Sequence, residues 1–251
     1  MSAFTLKLIA LGSMLYDHLT ALWPLEIILW LLVFPEAESL PGWTEGLCGL
    51  SPYIGRIAAP IFLWSIAQGY RHTRDWKRYA LRLFMFACLA EWPYYLLFEV
   101  HGNIIFTQLV GLLTLRLMDW GNEKRPRLGY VLAGIVVVLS WHFAVFEGNG
   151  RYILFILVFS LTDRWPTGKK ALLWLFLYPA SRWKLLYWYF TEGFRLSMFF
   201  INGFGPLLGV GLTLLYNGEK GPEGKGLKYL WYIAYPAHLL LLALWKLWRG
   251  Y

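Results

Sequence analysis

An adjacent aspartate and histidine inside an apolar run are the residues of this chain best suited to chemistry. Asp17 and His18 lie within the first long hydrophobic segment, which extends from Leu6 to Trp23. An Asp at the centre of a membrane helix costs about 2.5–3.5 kcal/mol on insertion scales, so it is expected to face the protein interior and to have a partner. The pair therefore indicates a functional site; the alternative is a buried polar pair that only orients helices.

Two further ionisable residues are predicted to lie at a similar membrane depth. Asp17 and His18 follow Lys7 by ten and eleven residues, which is roughly 15 Å at ~1.5 Å per helical residue. His238 lies at a comparable distance from the start of the last apolar segment, and Arg56 lies slightly higher. Four ionisable groups from the beginning and the end of the chain are therefore expected to converge near the midplane.

Helix geometry limits which of these groups can pair. Residues at i and i+1 of a helix do not face each other, so Asp17 is a poor partner for His18. Asp17 is expected to pair across the bundle with Arg56 or with His238. A pair with Arg56 would neutralise two buried charges, whereas a pair with His238 would fix its tautomer and raise its basicity, as a carboxylate does in a catalytic triad.

A second candidate site is a cluster of basic residues at the end of an apolar segment. The basic cluster consists of Arg71, Arg74, Lys77, Arg78 and Arg82. It can clamp the phosphates of a cytoplasmic ligand, or it can contact anionic lipid headgroups by snorkelling. Metal binding is disfavoured, because no group of His, Cys, Asp and Glu has the spacing of metal ligands.

Membrane helices are expected to position these residues. The 251-residue chain is 58% hydrophobic and 15% charged, whereas a soluble domain carries about 25% charged residues. Several apolar segments approach the ~20 residues that span a bilayer as a helix. The sequence therefore predicts an all-α, polytopic transmembrane helical bundle, with residues 1–251 forming a single domain. The nine predicted membrane helices are 5–23, 52–70, 77–98, 104–118, 128–146, 151–163, 169–181, 196–216 and 228–248.

Three local patterns add detail to this bundle. Pro24 ends or kinks the first helix, so residues 25–34 are predicted to form a separate interfacial helix. The stretch 182–195 is rich in Trp and Tyr, which is typical of the membrane interface. Gly205 and Gly209 are four residues apart, a spacing that favours close helix packing.

Loop charges predict the orientation in the membrane. Basic residues are concentrated in loops 71–78, 119–127 and 217–227, whereas loop 35–51 is acidic. The positive-inside rule places the first three loops and the N-terminus in the cytoplasm. This topology explains the net charge of +8, so we expect membrane lipids rather than nucleic acid as partners.

Four blocks of sequence, in order along the chain, resemble the TraX family of membrane acetyltransferases, which includes the acetylase of conjugative pilin. These blocks contain Tyr16-Asp17-His18, Gly55-Arg56 with Pro60, Thr107 with Gly111, and Tyr235-Pro236-Ala237-His238. The resemblance implies an enzyme of the bacterial cytoplasmic membrane that moves an acetyl group from cytoplasmic acetyl-CoA to a membrane acceptor. The family's Asp-His pair maps to Asp17 and His18, and its late histidine maps to His238. The acceptor, an amine or hydroxyl of a pilin-like N-terminus or of a glycan, is not identified, nor is the oligomeric state.

The chemistry of acetyl transfer agrees with these residues. Attack on a thioester requires a base and donors that stabilise an oxyanion. We expect His18 to be the base, His238 or Arg56 to stabilise the oxyanion, and Asp17 to hold one of those two. The basic cluster is expected to bind acetyl-CoA, the co-substrate. The alternative is a proton-coupled transporter that uses Asp17, His18 and His238 as a relay, although the chain lacks two similar halves with broken helices.

Overall fold

In the computed structural model, the described part of the chain is helical and contains no strand. The described residues are 1–22, 53–182, 187, 191, 204–222 and 224–248. Each helix in them corresponds to a predicted segment, so the all-α prediction is confirmed for this part of the chain. The predicted interfacial segments 25–34 and 182–195 lie outside the described residues, apart from 182, 187 and 191. The helices are α1 (Ala3–Leu22), α2 (Ala58–His72), α3 (Trp76–Phe98), α4 (Ile104–Lys124), α5 (Leu128–Phe143), α6 (Asn149–Leu161), α7 (Thr167–Ala180), α8 (Gly205–Leu214) and α9 (Lys225–Trp248).

Three described helix boundaries differ clearly from the predicted ones, and the first is the start of α2, which begins at Ala58 instead of residue 52. α4 continues to Lys124 instead of ending at residue 118, because backbone hydrogen bonds extend a helix whether or not its side chains are apolar. α5 ends at Phe143 instead of residue 146, since Ala144 adopts a left-handed backbone with φ 49°. Such a residue ends an α-helix.

Three described helices are long and apolar enough to cross a membrane, namely Trp76–Phe98, Ile104–Lys124 and Tyr229–Trp248. The apolar helices α5, α6 and α8 have 16, 13 and 10 residues. They would cover about 15–24 Å, which is less than the ~30 Å hydrocarbon core of a bilayer. The described residues therefore form a helical bundle of membrane type, but the predicted count of nine membrane helices is not supported.

Packing divides the chain into two compact units. The first unit comprises Met1–Phe62 and Pro166–Pro222, and the second comprises Leu63–Trp165 and Glu223–Tyr251. The boundary passes through α2. Asp17, His18 and Arg56 belong to the first unit, whereas His238 and the basic cluster belong to the second. The single-domain organisation stays a prediction.

The second unit is built from antiparallel helices joined by short loops, with α9 added beside them. α3 packs on α4, α4 on α5 and α6, and α5 on α6. Near the start of α9, Tyr232 lies against Arg82 and Phe86 of α3. Near the end of α9, Lys246 Nζ donates to Leu96 O of α3 at 3.0 Å. α9 therefore runs parallel to α3.

The two ends of the second unit differ in charge. The loops after α2, α4 and α6 lie at one end, where Tyr70 donates to Asp119 at 2.5 Å and Gln68 donates to Asp163 at 2.6 Å. We call this the basic end, and the other the opposite end. The exposed basic residues of the basic end are Arg71, Arg74, Lys77, Arg78, Lys124, Arg125, Arg127 and Arg164. This arrangement agrees with loops 71–78 and 119–127 lying on one side of a membrane.

A set of polar contacts around the buried Asn103, which we call the polar lock, joins α3 to α4 at the opposite end. The carboxylate of Glu91 accepts hydrogen bonds from Gly102 N at 2.8 Å and from Asn103 Nδ2 at 2.7 Å, and it contacts His101 Nδ1 at 3.2 Å. Asn103 is fully buried, and its Oδ1 accepts from Ile105 N at 3.1 Å as the N-cap of α4. Glu91 therefore has a structural role within the described residues.

In the first unit, the N-terminus of α1 is closed by the segment that follows α8. The N–H groups of Ala3 and Phe4 donate to the backbone carbonyls of Glu219 and Lys220 at 2.9 and 3.0 Å. The next two N–H groups of the helix are satisfied by Ser2. Because the first four N–H groups of a helix lack intrahelical partners, these bonds complete α1 and fix the segment beside it.

Candidate functional site

Asp17 packs against residues 53–57, the turn that precedes α2. A Cβ atom at position 55 would collide with the carboxyl group of Asp17, so this side chain lies directly on the Gly55 backbone. The guanidinium of the next residue, Arg56, interacts electrostatically with the Asp17 carboxylate. The first unit thus brings Asp17 and Arg56 together.

Ser13, which lies four residues before Asp17 on α1, also contacts residues 53–57. Its Oγ donates to the carbonyl oxygens of Ile54 and Gly55, the second at 3.3 Å, in a bifurcated bond. Ser13 is buried, and its spacing from Asp17 puts both side chains on one helix face. Sequence reasoning missed Ser13, although this four-residue spacing is a signal that points to it.

The other side of the turn packs directly on α8. A Cβ at Gly205 would collide with Tyr53 O and would lie 3.1 Å from Arg56 Cβ. A Cβ at Gly209 would lie 2.5 Å from Ile57 O. Only glycine permits backbones to approach so closely, so the predicted close packing at Gly205 and Gly209 is confirmed. The turn that carries Arg56 is therefore held between α1 and α8.

His18 follows Asp17 on α1 and is half-buried. Successive residues of a helix are rotated by about 100°, so the two side chains point in different directions. Asp17 is directed at the turn, and His18 lies beside it on the same helix. The first unit thus combines a carboxylate and an imidazole on α1 with the guanidinium of Arg56 on the turn that Asp17 contacts.

His238 lies in α9, two residues after Pro236, and its side chain is buried. Its Nδ1 lies 2.7 Å from Ala234 O. A carbonyl oxygen can only accept, so Nδ1 carries the proton and Nε2 is the basic nitrogen of the neutral ring. The ring also packs edge-on against Tyr235, with centroids 5.5 Å apart. His238 is therefore held in one tautomer and one orientation.

Two members of the basic cluster form ion pairs. Arg71 pairs with Asp163, which also accepts from Gln68. Arg78 Nε lies 3.0 Å from Asp75, the residue that caps the N-terminus of α3. These contacts tie the cluster to the fold of the second unit, and they leave its remaining members as the groups with most freedom to bind a ligand. Those remaining members are Arg74, Lys77 and Arg82.

Arg82 has the most defined surroundings in the cluster. Its guanidinium carbon lies 5.9 Å from the ring centre of Tyr79 and 5.8 Å from that of Tyr232. Phe86 stacks on Tyr232 at 5.3 Å. Within the described residues, the buried Nε of Arg82 has no hydrogen-bond acceptor. A buried donor without an acceptor costs about 1–3 kcal/mol, so an anion that accepts from Arg82 would remove this cost.

Arg116 is a further basic residue that sequence reasoning did not select for the site. Its guanidinium carbon lies 5.9 Å from the Trp76 ring centre, and Lys77 Nζ lies 6.0 Å from the same centre. Arg116 comes from α4, and only the packing of α4 on α3 brings it to the cluster. No signal in the sequence around Arg116 indicates this neighbourhood.

The comparison with known proteins identifies the family. A family model described as "TraX protein" matches residues 2–246. The chain belongs to the TraX family. No curated protein and no solved structure matches it.

The TraX match covers both compact units. It includes Asp17, His18 and Arg56 of the first unit, and it includes His238 and the basic cluster of the second. Across the described ranges of this TraX protein, no three His, Cys, Asp or Glu side chains form a group that could hold a metal ion. The candidate residues of the two units supply carboxylate, imidazole and guanidinium groups.

Proposed function

We propose that this TraX protein is a membrane-embedded acetyltransferase that uses cytoplasmic acetyl-CoA. Its acceptor is an amine or hydroxyl group at the membrane, such as the N-terminus of a pilin-like protein or a glycan. The observation that carries the proposal is the pairing of Asp17 with Arg56 beside His18. A carboxylate and a guanidinium that interact next to an imidazole suit a reaction that moves a proton and develops negative charge.

In the proposed reaction His18 is the general base. The acceptor nitrogen or oxygen attacks the thioester carbonyl carbon while His18 takes the proton from that atom. The tetrahedral intermediate then collapses, the carbon–sulfur bond breaks, and the coenzyme A thiolate leaves with a proton from the imidazolium. Asp17 keeps the guanidinium of Arg56 in place throughout.

Arg56 is the better candidate for the oxyanion, and His238 for a second base. A guanidinium remains charged at any working pH and donates through several N–H groups. The neutral ring of His238 already donates from Nδ1 to Ala234 O, so its other nitrogen is an acceptor. We therefore assign Arg56 to the developing negative charge.

The basic cluster is proposed to bind the phosphates of acetyl-CoA. Arg82 supports this assignment because its buried Nε lacks an acceptor within the described residues. Arg74 and Lys77 are exposed at the same end of the second unit. Guanidinium groups bind phosphate through charge-assisted hydrogen bonds.

We propose that this end faces the cytoplasm of a bacterial cell, with a multi-pass chain and a cytoplasmic N-terminus.

Radiolabelled acetyl-CoA tests the proposal directly. Purified protein in liposomes is incubated with [¹⁴C]acetyl-CoA and with membranes from cells that lack the gene, and the labelled product is identified by mass spectrometry. We expect label on a membrane protein or glycan with the unchanged protein, and strongly reduced label with His18→Ala. Solute flux without acetyl-CoA, combined with no transfer of label, would instead support the transporter.

A further inference from the structure

Among the buried hydroxyl residues of the described helices, Ser13 and Thr107 donate to a separate segment of chain and not to their own helix. A serine or threonine within a helix commonly donates to the carbonyl four residues earlier. Thr114 and Thr162 do so, to Val110 O and Val158 O, each at 2.7 Å. Ser13 instead donates to a separate segment of chain, at Ile54 and Gly55.

We propose that Ser13 is a positioning residue for the acetyl transfer, acting through the turn that carries Arg56. This inference rests on the proposed function. Ser13 and Asp17 lie one helical turn apart and contact consecutive residues of the turn, Ile54 and Gly55. Two contacts spaced in this way fix both the position and the rotation of the turn relative to α1.

Arg56 depends on this fixation because its own side chain is exposed. An exposed arginine side chain has many rotamers, so its average position depends on the backbone that carries it as well as on its contact with Asp17. On the α8 side, the backbone at Gly205 and Gly209 packs directly on the turn. The Ser13 hydroxyl thus supplies a directional bond on the α1 side.

Two substitutions disturb this arrangement in different ways. Ser13→Ala removes the hydrogen bond and leaves the packing volume nearly unchanged. Gly55→Ala adds a methyl group where the Asp17 carboxyl group lies, so it pushes Asp17 away from the turn. Gly12→Ala is the matched control, since a Cβ at position 12 of α1 meets nothing within 4 Å.

Steady-state kinetics separate positioning from a general structural role. We expect Ser13→Ala to lower kcat by roughly 10–100-fold, the scale of loss that misplacement of a reacting group produces, while KM for acetyl-CoA changes less than twofold. Ser13→Thr keeps the hydroxyl and should restore most of kcat, and Gly12→Ala should match the unchanged enzyme. In an Arg56→Ala background, Ser13→Ala should lower kcat no further. If Ser13→Ala lowered kcat by the same factor with Arg56→Ala as without it, the inference would be overturned.

A second measurement does not depend on activity. A thermal double-mutant cycle in detergent compares Asp17→Asn, Arg56→Gln and both together. We expect the melting temperatures to show coupling of roughly 2–4 °C, and we expect this coupling to disappear when the cycle is repeated with Ser13→Ala. Coupling that persists without the Ser13 hydroxyl would contradict the positioning role. If the protein without substitutions had no acetyltransferase activity, the proposed function would be overturned. The thermal cycle would then test only whether the Ser13 hydroxyl positions the turn that carries Arg56.

Discussion

A carboxylate in an apolar helix requires a neighbour that compensates for lost hydration, and Asp17 has two such neighbours. Its carboxyl group lies on the backbone of Gly55, and the guanidinium of Arg56 acts on its charge. Removal of the Arg56 guanidinium would leave the Asp17 carboxylate in the apolar helix without its positive neighbour, which is destabilising. The stability of the first unit therefore depends on residues 53–57.

Replacement of His18 tests the assignment of the general base. General-base catalysis contributes typically 10²–10⁴-fold to a rate, so His18→Ala should lose about that factor in kcat while it remains folded and inserted. His142→Ala is the control, because His142 is exposed near the end of α5. The measurement is transfer of labelled acetyl groups by membranes with matched protein levels. Full activity of His18→Ala with loss in His238→Ala would reverse the roles of the two histidines.

Replacement of Arg82 tests where the donor phosphates bind. A charge-assisted hydrogen bond contributes about 1.5–3 kcal/mol, so Arg82→Ala should raise KM for acetyl-CoA about 10–100-fold. S-Acetyl-pantetheine has the same thioester without phosphates, and its KM should change less than twofold. Lys124→Ala, at an exposed position of the same end, serves as the control. Equal effects on the two donors would exclude Arg82 as a phosphate ligand.

Residue spacing predicts some of this site and leaves other parts hidden. Counting residues from the ends of apolar runs selects Asp17, His18 and His238, because helix rise converts sequence distance into depth. Ser13 is signalled only by its four-residue spacing from Asp17, and Arg116 has no such signal, since each side chain gains its role from the segment it contacts. That contact depends on tertiary packing.

At the scale of elements, apolar runs predict where helices lie better than they predict which helices cross a membrane. The composition of segment 128–146 predicts a membrane span, yet α5 has only 16 residues because Ala144 adopts a left-handed backbone conformation. A left-handed residue other than glycine is uncommon, so this boundary has no sequence signal. Helices shorter than the bilayer core also need neighbours that cover their ends.

The polar lock between α3 and α4 makes Asn103 a stability determinant. Asn103→Ala removes a fully buried side chain that donates to Glu91 and caps α4. A buried polar group that loses its partner costs about 1–3 kcal/mol, which corresponds to a fall in Tm of roughly 2–12 °C for a chain of this size. Gly134→Ala, where a Cβ meets nothing within 4 Å, should show no such fall. Thermal unfolding in detergent measures both, and equal Tm values would refute the role of the lock.

At the scale of the whole molecule, the distribution of charged residues predicts the orientation in the membrane. The second unit concentrates exposed basic residues at the end where α2, α4 and α6 terminate. Positive residues are retained on the cytoplasmic side during insertion. The predicted loops 71–78 and 119–127 both lie at that end. The sequence alone predicts this, because the charge of a loop can be counted without knowledge of the tertiary structure.

Cysteine labelling of intact cells tests this orientation. Single cysteines are introduced at Lys124 of the basic end and at Val145 of the opposite end, both exposed positions, after replacement of Cys48 and Cys88 by alanine. A membrane-impermeant maleimide should label the cysteine at 145 and not that at 124. Lysed cells, in which both should react, provide the control. Labelling of position 124 from outside would invert the topology.

The closure of α1 by the segment after α8 also has a consequence for biogenesis. Helix α1 is translated well before Glu219 and Lys220, whose carbonyl groups are the acceptors for two of its N–H groups. At ~5–20 residues per second, these acceptors are synthesised roughly 10–45 s after the helix. During that interval the N-terminus of α1 is incomplete, so we expect it to be accessible to proteases and chaperones until residues 219 and 220 have been translated.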